Sequence, residues 1–393
     1  MQRSSLKVAA LLGALLLIVL GAALLSRRPD SKVGSSSDST APTDPSSGGI
    51  RTATAPTHAG SPAPPPQERR PKEDVLPMPG CWEGVGEFDK DVSLDTFRRA
   101  LAAAVGAGDQ QLAQYLQERL TEIIGGDATL ALQVLDLAEK SQQPELGVFM
   151  EALKNASAVQ DPKVVERLLK MGEDKGSPLV NRAAAMDTLE TQKRLSPANI
   201  QRLKAVAMDV SADSAGWVAT RTLGRVMKED YERTGNFAPY WEELLDIGEK
   251  SEDMAVRLLA LEMPSYSDPL IGGESMDRLS QIMRTDRERD VREMAAFRLA
   301  VTQEPDKALE AYRTAFPAEH DECVRWALFR FAVRAAGARA LPVLQQMAAQ
   351  DPRFLPDYQD FLRLYAGGTV DFARIWLGKE DRHQCIVEEG APH

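Results

Sequence analysis

A Val-Arg pair recurs along this chain at a nearly fixed interval, and that interval restricts the possible folds more than any other feature. The stretches Glu252–Glu262, Asp290–Leu299 and Asp321–Phe331 each start acidic and carry the pair (Val256-Arg257, Val291-Arg292, Val324-Arg325). Each then continues into an apolar helical face, and the arginines stand 35 and 33 residues apart. Carried outward, the register marks Ala113, Gly147, Arg182, Ala219, Arg257, Arg292, Arg325 and Gln359, with steps of 34, 35, 37, 38, 35, 33 and 34. The residue before each marker is apolar or aromatic except Asn181, and the residue three after it is apolar except Thr222. A repeat of this length means stacked two-helix units, none of which can bury its apolar face alone. The expected fold is all-α, an α–α superhelix of about eight antiparallel helix pairs over residues 87–380.

Helix punctuation supports the pairing. Gly106-Ala-Gly108-Asp109 and Gly125-Gly126-Asp127 join a glycine stop to an aspartate start. Asp161-Pro162, Ser177-Pro178, Ser196-Pro197 and Asp351-Pro352 set a capping side chain before a proline at the first helical position. Between them, Leu130-Val134-Leu137, Val165-Leu168-Leu169, Ile200-Leu203-Val206 and Leu279-Ile282-Met283 follow three- and four-residue spacing. No strand-period run of useful length competes.

The N-terminal region reads differently. Val8–Leu25 is eighteen uninterrupted apolar residues between Arg3/Lys7 and Arg27-Arg28. A helix of that length spans about 27 Å, enough for a bilayer core, and exceeds the roughly 7–15 apolar residues of a signal peptide. Residues 1–28 are therefore expected to be a single transmembrane anchor, with a signal cleaved near Gly21-Ala22-Ala23 as the alternative. Residues 29–86 form a Pro/Ser/Thr-rich linker that cannot build a core, with Pro64-Pro65-Pro66 at its densest point. An N-terminus kept inside would leave the repeat domain extracytoplasmic, periplasmic or extracellular. Residues 381–393 read as a flexible tail.

Charge narrows the partner. Residues 1–86 hold 9 Lys+Arg and 7 Asp+Glu, so residues 87–393 hold 38 against 51 and are acidic by 13. Nucleic acid is not expected, because phosphate binding rests on clustered Lys and Arg. The three cysteines make no full disulfide framework. Cys81 and Cys385 flank the stack, too far apart to bridge if it is extended, and Cys323 is expected to be a buried helical residue.

The longest step, from Ala219 to Arg257, contains Tyr231, Phe237, Tyr240 and Trp241 in what reads as a loop, and Tyr266 follows where a helix meets Pro264. Aromatic residues on loops are enriched at binding sites, so these five are the candidate partner-binding residues. Asp89, Asp91, Ser93 and Asp95 imitate a calcium loop, but Leu94 stands at its glycine position and Ala100 at its glutamate position, so Ser93 reads better as an N-cap. No phosphate-binding loop, dinucleotide fingerprint, nucleophile elbow or zinc motif occurs. His320, in His320-Asp321-Glu322-Cys323, is the sole histidine inside the repeats, and the run reads as an acidic first turn. No catalytic residue, metal or cofactor is expected.

The units resemble short HEAT repeats, with Val-Arg-x-x-Ala as the carrying motif. It is clearest at Val256-Arg257-Leu-Leu-Ala260 and Val291-Arg292-Glu-Met-Ala295, weaker at Asn181–Ala185 and Val324–Leu328, and the similarity covers residues 90–380. The period is shorter than usual for that family, and tetratricopeptide landmarks are missing. The resemblance implies a curved superhelix that serves protein binding. The expected function is a membrane-tethered, non-catalytic scaffold for a protein or peptide partner. The alternatives are a HEAT-like enzyme of the DNA glycosylase or lyase kind, and a purely structural envelope spacer. The arginines are expected to pair with the acidic residue four before them, as Arg257 with Asp253, or to form a ladder between repeats.

Overall fold

The computed structural model describes residues 93–263, 269–368 and 382–385. All of them fall in the unit Glu73–His393. Val8–Leu25, the linker, Cys81 and Tyr266 lie outside the described residues.

Sixteen α-helices among the described residues form eight consecutive pairs: α1 (Leu94–Ala107) with α2 (Gln110–Ile124), α3 (Ala128–Ala138) with α4 (Glu145–Asn155), α5 (Pro162–Glu173) with α6 (Leu179–Thr188), and α7 (Pro197–Met208) with α8 (Ser214–Thr234). Then follow α9 (Ala238–Lys250) with α10 (Met254–Glu262), α11 (Glu274–Thr285) with α12 (Arg289–Leu299), α13 (Pro305–Ala315) with α14 (Glu322–Ala336), and α15 (Leu341–Gln350) with α16 (Leu355–Ala366). Every marker position falls on the second helix of its pair. Through most of the stack, first helices pack on first helices and second on second. Among the described residues the only extended pairing is an isolated bridge between Ile271 and Thr302, and no helix is long and apolar enough to cross a membrane.

The caps explain where helices begin and end. Ser93 caps α1, its hydroxyl accepting from the Thr96 amide at 3.3 Å. Asp161 accepts from Lys163 N at 2.8 Å with Pro162 at the first helical position, where a missing N–H costs nothing. Gly235, at φ 70°, ends α8 in the left-handed region. Close contact between the two helices of a pair favours glycine at two places. A Cβ on Gly172 would lie 2.0 Å from Met186 Cε, and one on Gly248 2.7 Å from Leu261 Cδ2.

Each pair contributes one inner layer to a continuous core. Phe97 meets Phe149 at 5.8 Å between ring centroids, and Phe316, Phe329 and Phe354 gather near the C-terminal end, each pair of neighbours at 5.5 Å. Outside the core, ion pairs link neighbouring first helices. Arg202 reaches Glu166 and Glu173, and Arg278 reaches Glu242 and Glu249.

Candidate functional site

The aromatic stretch divides between surface and core. Helix α8 runs on through Thr234, so only three residues, Gly235–Phe237, separate it from α9. Tyr240 and Trp241 lie in the first turn of α9 and are 1% and 2% exposed, which removes them from the candidate partner anchors. Tyr240 Oη accepts from Leu195 N at 2.9 Å and donates to Asp230 Oδ2 at 3.2 Å, and burial pushes its phenol up to about 12. Trp241 Nε1 donates to Ser275 Oγ at 3.0 Å, tying α9 to α11. Tyr231 and Phe237 remain half-exposed and meet edge to face at 5.8 Å.

The recurring arginines form a ladder along the edge where the first helix of each pair turns into the second. Arg257 donates to Ser251 O at 2.9 Å, at the end of its own first helix, and grips Asp286 of the next repeat with Nε at 3.1 Å and Nη2 at 3.2 Å. Arg292 repeats this with Asp286 O at 3.0 Å and Glu319 at 2.8 Å, and Arg325 with Glu319 O at 2.7 Å and Asp351 at 2.8 Å. Arg182 donates to Gly172 O at 2.8 Å and approaches Asp209 at 3.8 Å. The partner is thus the acidic residue of the next repeat. The residue four before Arg257, Asp253, instead caps α10. Hydrogen bonds from Arg353 and Arg325 bring the Asp351 carboxyl down to about 2.

The ladder is broken in one internal place. Ala219 stands where an arginine would, and Ser251 stands where its acidic partner would, so both halves of the rung are neutral. Around this gap the turns of repeats three to five expose large aliphatic side chains. Leu179 is 39% exposed, Val180 44%, Val210 59% and Met254 40%. Exposed Asp174, Asp213 and Glu252 stand beside them in the chain. Lys175 Nζ to Asp209 Oδ2, at 2.9 Å, shows that the third and fourth turns are neighbours. Sequence periodicity missed these four aliphatics because each sits just outside its helix or within the helix's first two residues.

The described part of the C-terminal segment, Arg382–Cys385, is fastened, against the expectation of a flexible tail over residues 381–393. Cys385 is disulfide-bonded to Cys323 at the start of α14, with Cα atoms 5.4 Å apart. His383 Nδ1 lies 2.7 Å from Glu322 Oε1 and Nε2 lies 2.9 Å from Asp357 Oδ2, while its ring stacks on Phe354 at 4.5 Å. Burial opposes the imidazolium, but hydrogen bonds to Asp357 and Glu322 outweigh it and raise the histidine above its ordinary value. Cys323 is therefore no free thiol, and His320 is exposed. Among the described residues no group of His, Cys, Asp and Glu could hold a metal ion.

No protein-family profile matches the chain, and no curated protein matches it. A solved structure described as human deoxyhypusine hydroxylase in complex with glycerol aligns at 17% identity and a TM-score of 0.26, over 72% of this chain and 94% of that one. That structure is an enzyme by its description, so a helical fold gives no ground for the expected non-catalytic scaffold, and that expectation is withdrawn. A likeness of this size gives no activity to the chain either.

Proposed function

We propose that the helical stack recognises a protein or peptide segment on the turn edge of repeats three to five, and that the segment is cationic and amphipathic. The observation that carries this is the row Leu179, Val180, Val210 and Met254, exposed on three successive turns where the arginine ladder is interrupted. Soluble proteins seldom leave such aliphatics grouped without a partner. The acidic residues beside them, and the acidic balance of the domain, favour positive charge on what docks. Tyr231 and Phe237 offer a second, smaller contact at the α8–α9 corner. The finer description of the units as short HEAT-like repeats rests on their Val-Arg-x-x-Ala helices.

Selection from a displayed peptide library on the full chain tests the reading. Recovered peptides are expected to carry net positive charge with apolar residues at helical spacing. Val210→Ser with Met254→Ser is expected to weaken them about tenfold, the loss of roughly 1–2 kcal/mol of apolar contact, with an unchanged melting temperature. Peptides without charge preference, or undiminished binding by the double variant, would refute it. The reading concerns recognition, and mass spectra of the recovered peptides report any chemical change made to them.

The domain is further proposed to stand outside the cytoplasm, tethered through Val8–Leu25. A disulfide between Cys323 and Cys385 supports this, since such bonds persist in oxidising compartments. The intact protein is expected in the membrane fraction after carbonate washing, with the repeats digested by protease added from outside. Soluble protein starting near Leu24 would instead mean a cleaved signal, and full protection an inverted orientation.

A further inference from the structure

The returning segment Arg382–Cys385 packs across the start of α14 and the start of α16, bridging the seventh and eighth pairs. In the ladder the marker after Arg325 is Gln359, which carries no charge, and beyond α16 no further described repeat supplies a turn. Instead Arg382 Nη1 lies 3.2 Å from Asp357 and 2.6 Å from Asp360, and the His383 ring covers Phe354 and approaches Trp326 at 5.2 Å. The segment therefore ties the last two pairs together, held by one covalent bond, one imidazole and the Arg382 guanidinium.

The imidazole has a carboxylate at each nitrogen. A neutral ring carries one N–H, so it can donate to only one of them and turns a lone pair toward the other. The imidazolium donates to both. Charged groups near it are Glu322 on α14, Asp357 and Asp360 on α16, Arg382 on its own segment, and Arg353, which pairs with Glu322 at 2.5 Å and with Asp351 at 2.6 Å. Asp357 is fully buried and the His383 side chain is 4% exposed, so little solvent screens the mismatch. We propose that Arg382–Cys385 is a two-input latch across the last two helix pairs, which releases only when the Cys323–Cys385 disulfide is reduced and His383 is neutral.

Reduction requires a dithiol partner. Its thiolate attacks one cystine sulfur, breaking the Cys323–Cys385 bond and forming a mixed disulfide. Its second thiol then closes its own disulfide and displaces the remaining cysteine. Two electrons and two protons pass from the dithiol to leave two cysteine thiols. After that only the imidazolium and Arg382 hold the segment.

The sign follows from the raised histidine. His383 favours the latched state below its ordinary value, and this contribution is lost as pH rises through its raised value. Hydrogen exchange over Arg382–Cys385 and the first turn of α14, corrected for intrinsic rates, reads the latch in the full-length protein. Oxidised protein is expected to be protected at about pH 5.5 and about pH 9, either side of the histidine range. Protein reduced with dithiothreitol is expected to stay protected at the lower pH and to lose protection at the higher, because the stability that the raised histidine contributes is gone there. His383→Gln is expected to remove the pH difference in the reduced protein while leaving the oxidised protein protected. Cys385→Ser should behave as the reduced protein, and if it fails to fold the reduced wild type carries the test alone. Equal protection of the reduced protein at both pH values, whether high or low, would overturn the proposal.

Discussion

Arg257→Ala is expected to lower the stability of the stack by about 3–5 kcal/mol, the cost of breaking a buried ion pair from one side. Arg257 is 3% exposed, and its partner Asp286 has a side chain only 10% exposed. Removing the guanidinium leaves that carboxylate without its two-pronged partner and the Ser251 carbonyl without its donor. Urea denaturation of the wild type and variant, each followed by circular dichroism and tryptophan fluorescence, measures the difference and shows whether the repeats unfold together. A loss below about 1 kcal/mol would place the pair with solvent-screened surface bridges and remove the ladder from what holds the repeats together.

Trp241→Ala is expected to cost about as much, roughly 3–5 kcal/mol, by a different mechanism. The indole is 2% exposed, wedged between α9 and α11, and its N–H is spent on Ser275. Truncation opens a cavity between two neighbouring repeats and leaves the Ser275 hydroxyl without that donor. The melting temperature should fall by several degrees in the full chain. A variant that melts normally would show the indole to be outside the core, and would return it to the partner-binding candidates.

The helix pairs were legible because stacking demands the same apolar spacing in every unit, and eight pairs follow from eight markers. What the sequence concealed depends on neighbours in space. The acidic residue four before Arg257 looked like its partner, whereas the true one, Asp286, is 29 residues on. Spacings of 26 and 27 residues recur for Arg325 with Asp351, and for Arg292 with Glu319. Ala219 and Ser251 stand 32 residues apart, so the gap in the ladder shows only once the helix ends are aligned, each acidic partner lying at or just past the end of the next first helix. Tyr240 and Trp241 look like loop residues in the sequence because the step that holds them is the longest. Gly235 as a stop and Pro239 as a helix start would have put both on the buried stripe with Leu244 and Leu245. The return of His383 and Cys385 onto α14 left no periodic trace, since a single excursion of the chain repeats nothing.

Cys323–Cys385 has a consequence for the order in which the array comes apart. In a one-dimensional assembly each unit is held by its neighbours, so a terminal unit with one neighbour frays first. The bond closes a ring of 62 residues that contains most of α14 and all of α15 and α16, and closing a ring of that size removes about 4 kcal/mol of unfolded-chain entropy in the simplest polymer treatment. The last pair thereby gains from topology what it lacks in neighbours. The two ends of the described array become unequal, and disassembly is expected to begin away from the closed end and to run toward it.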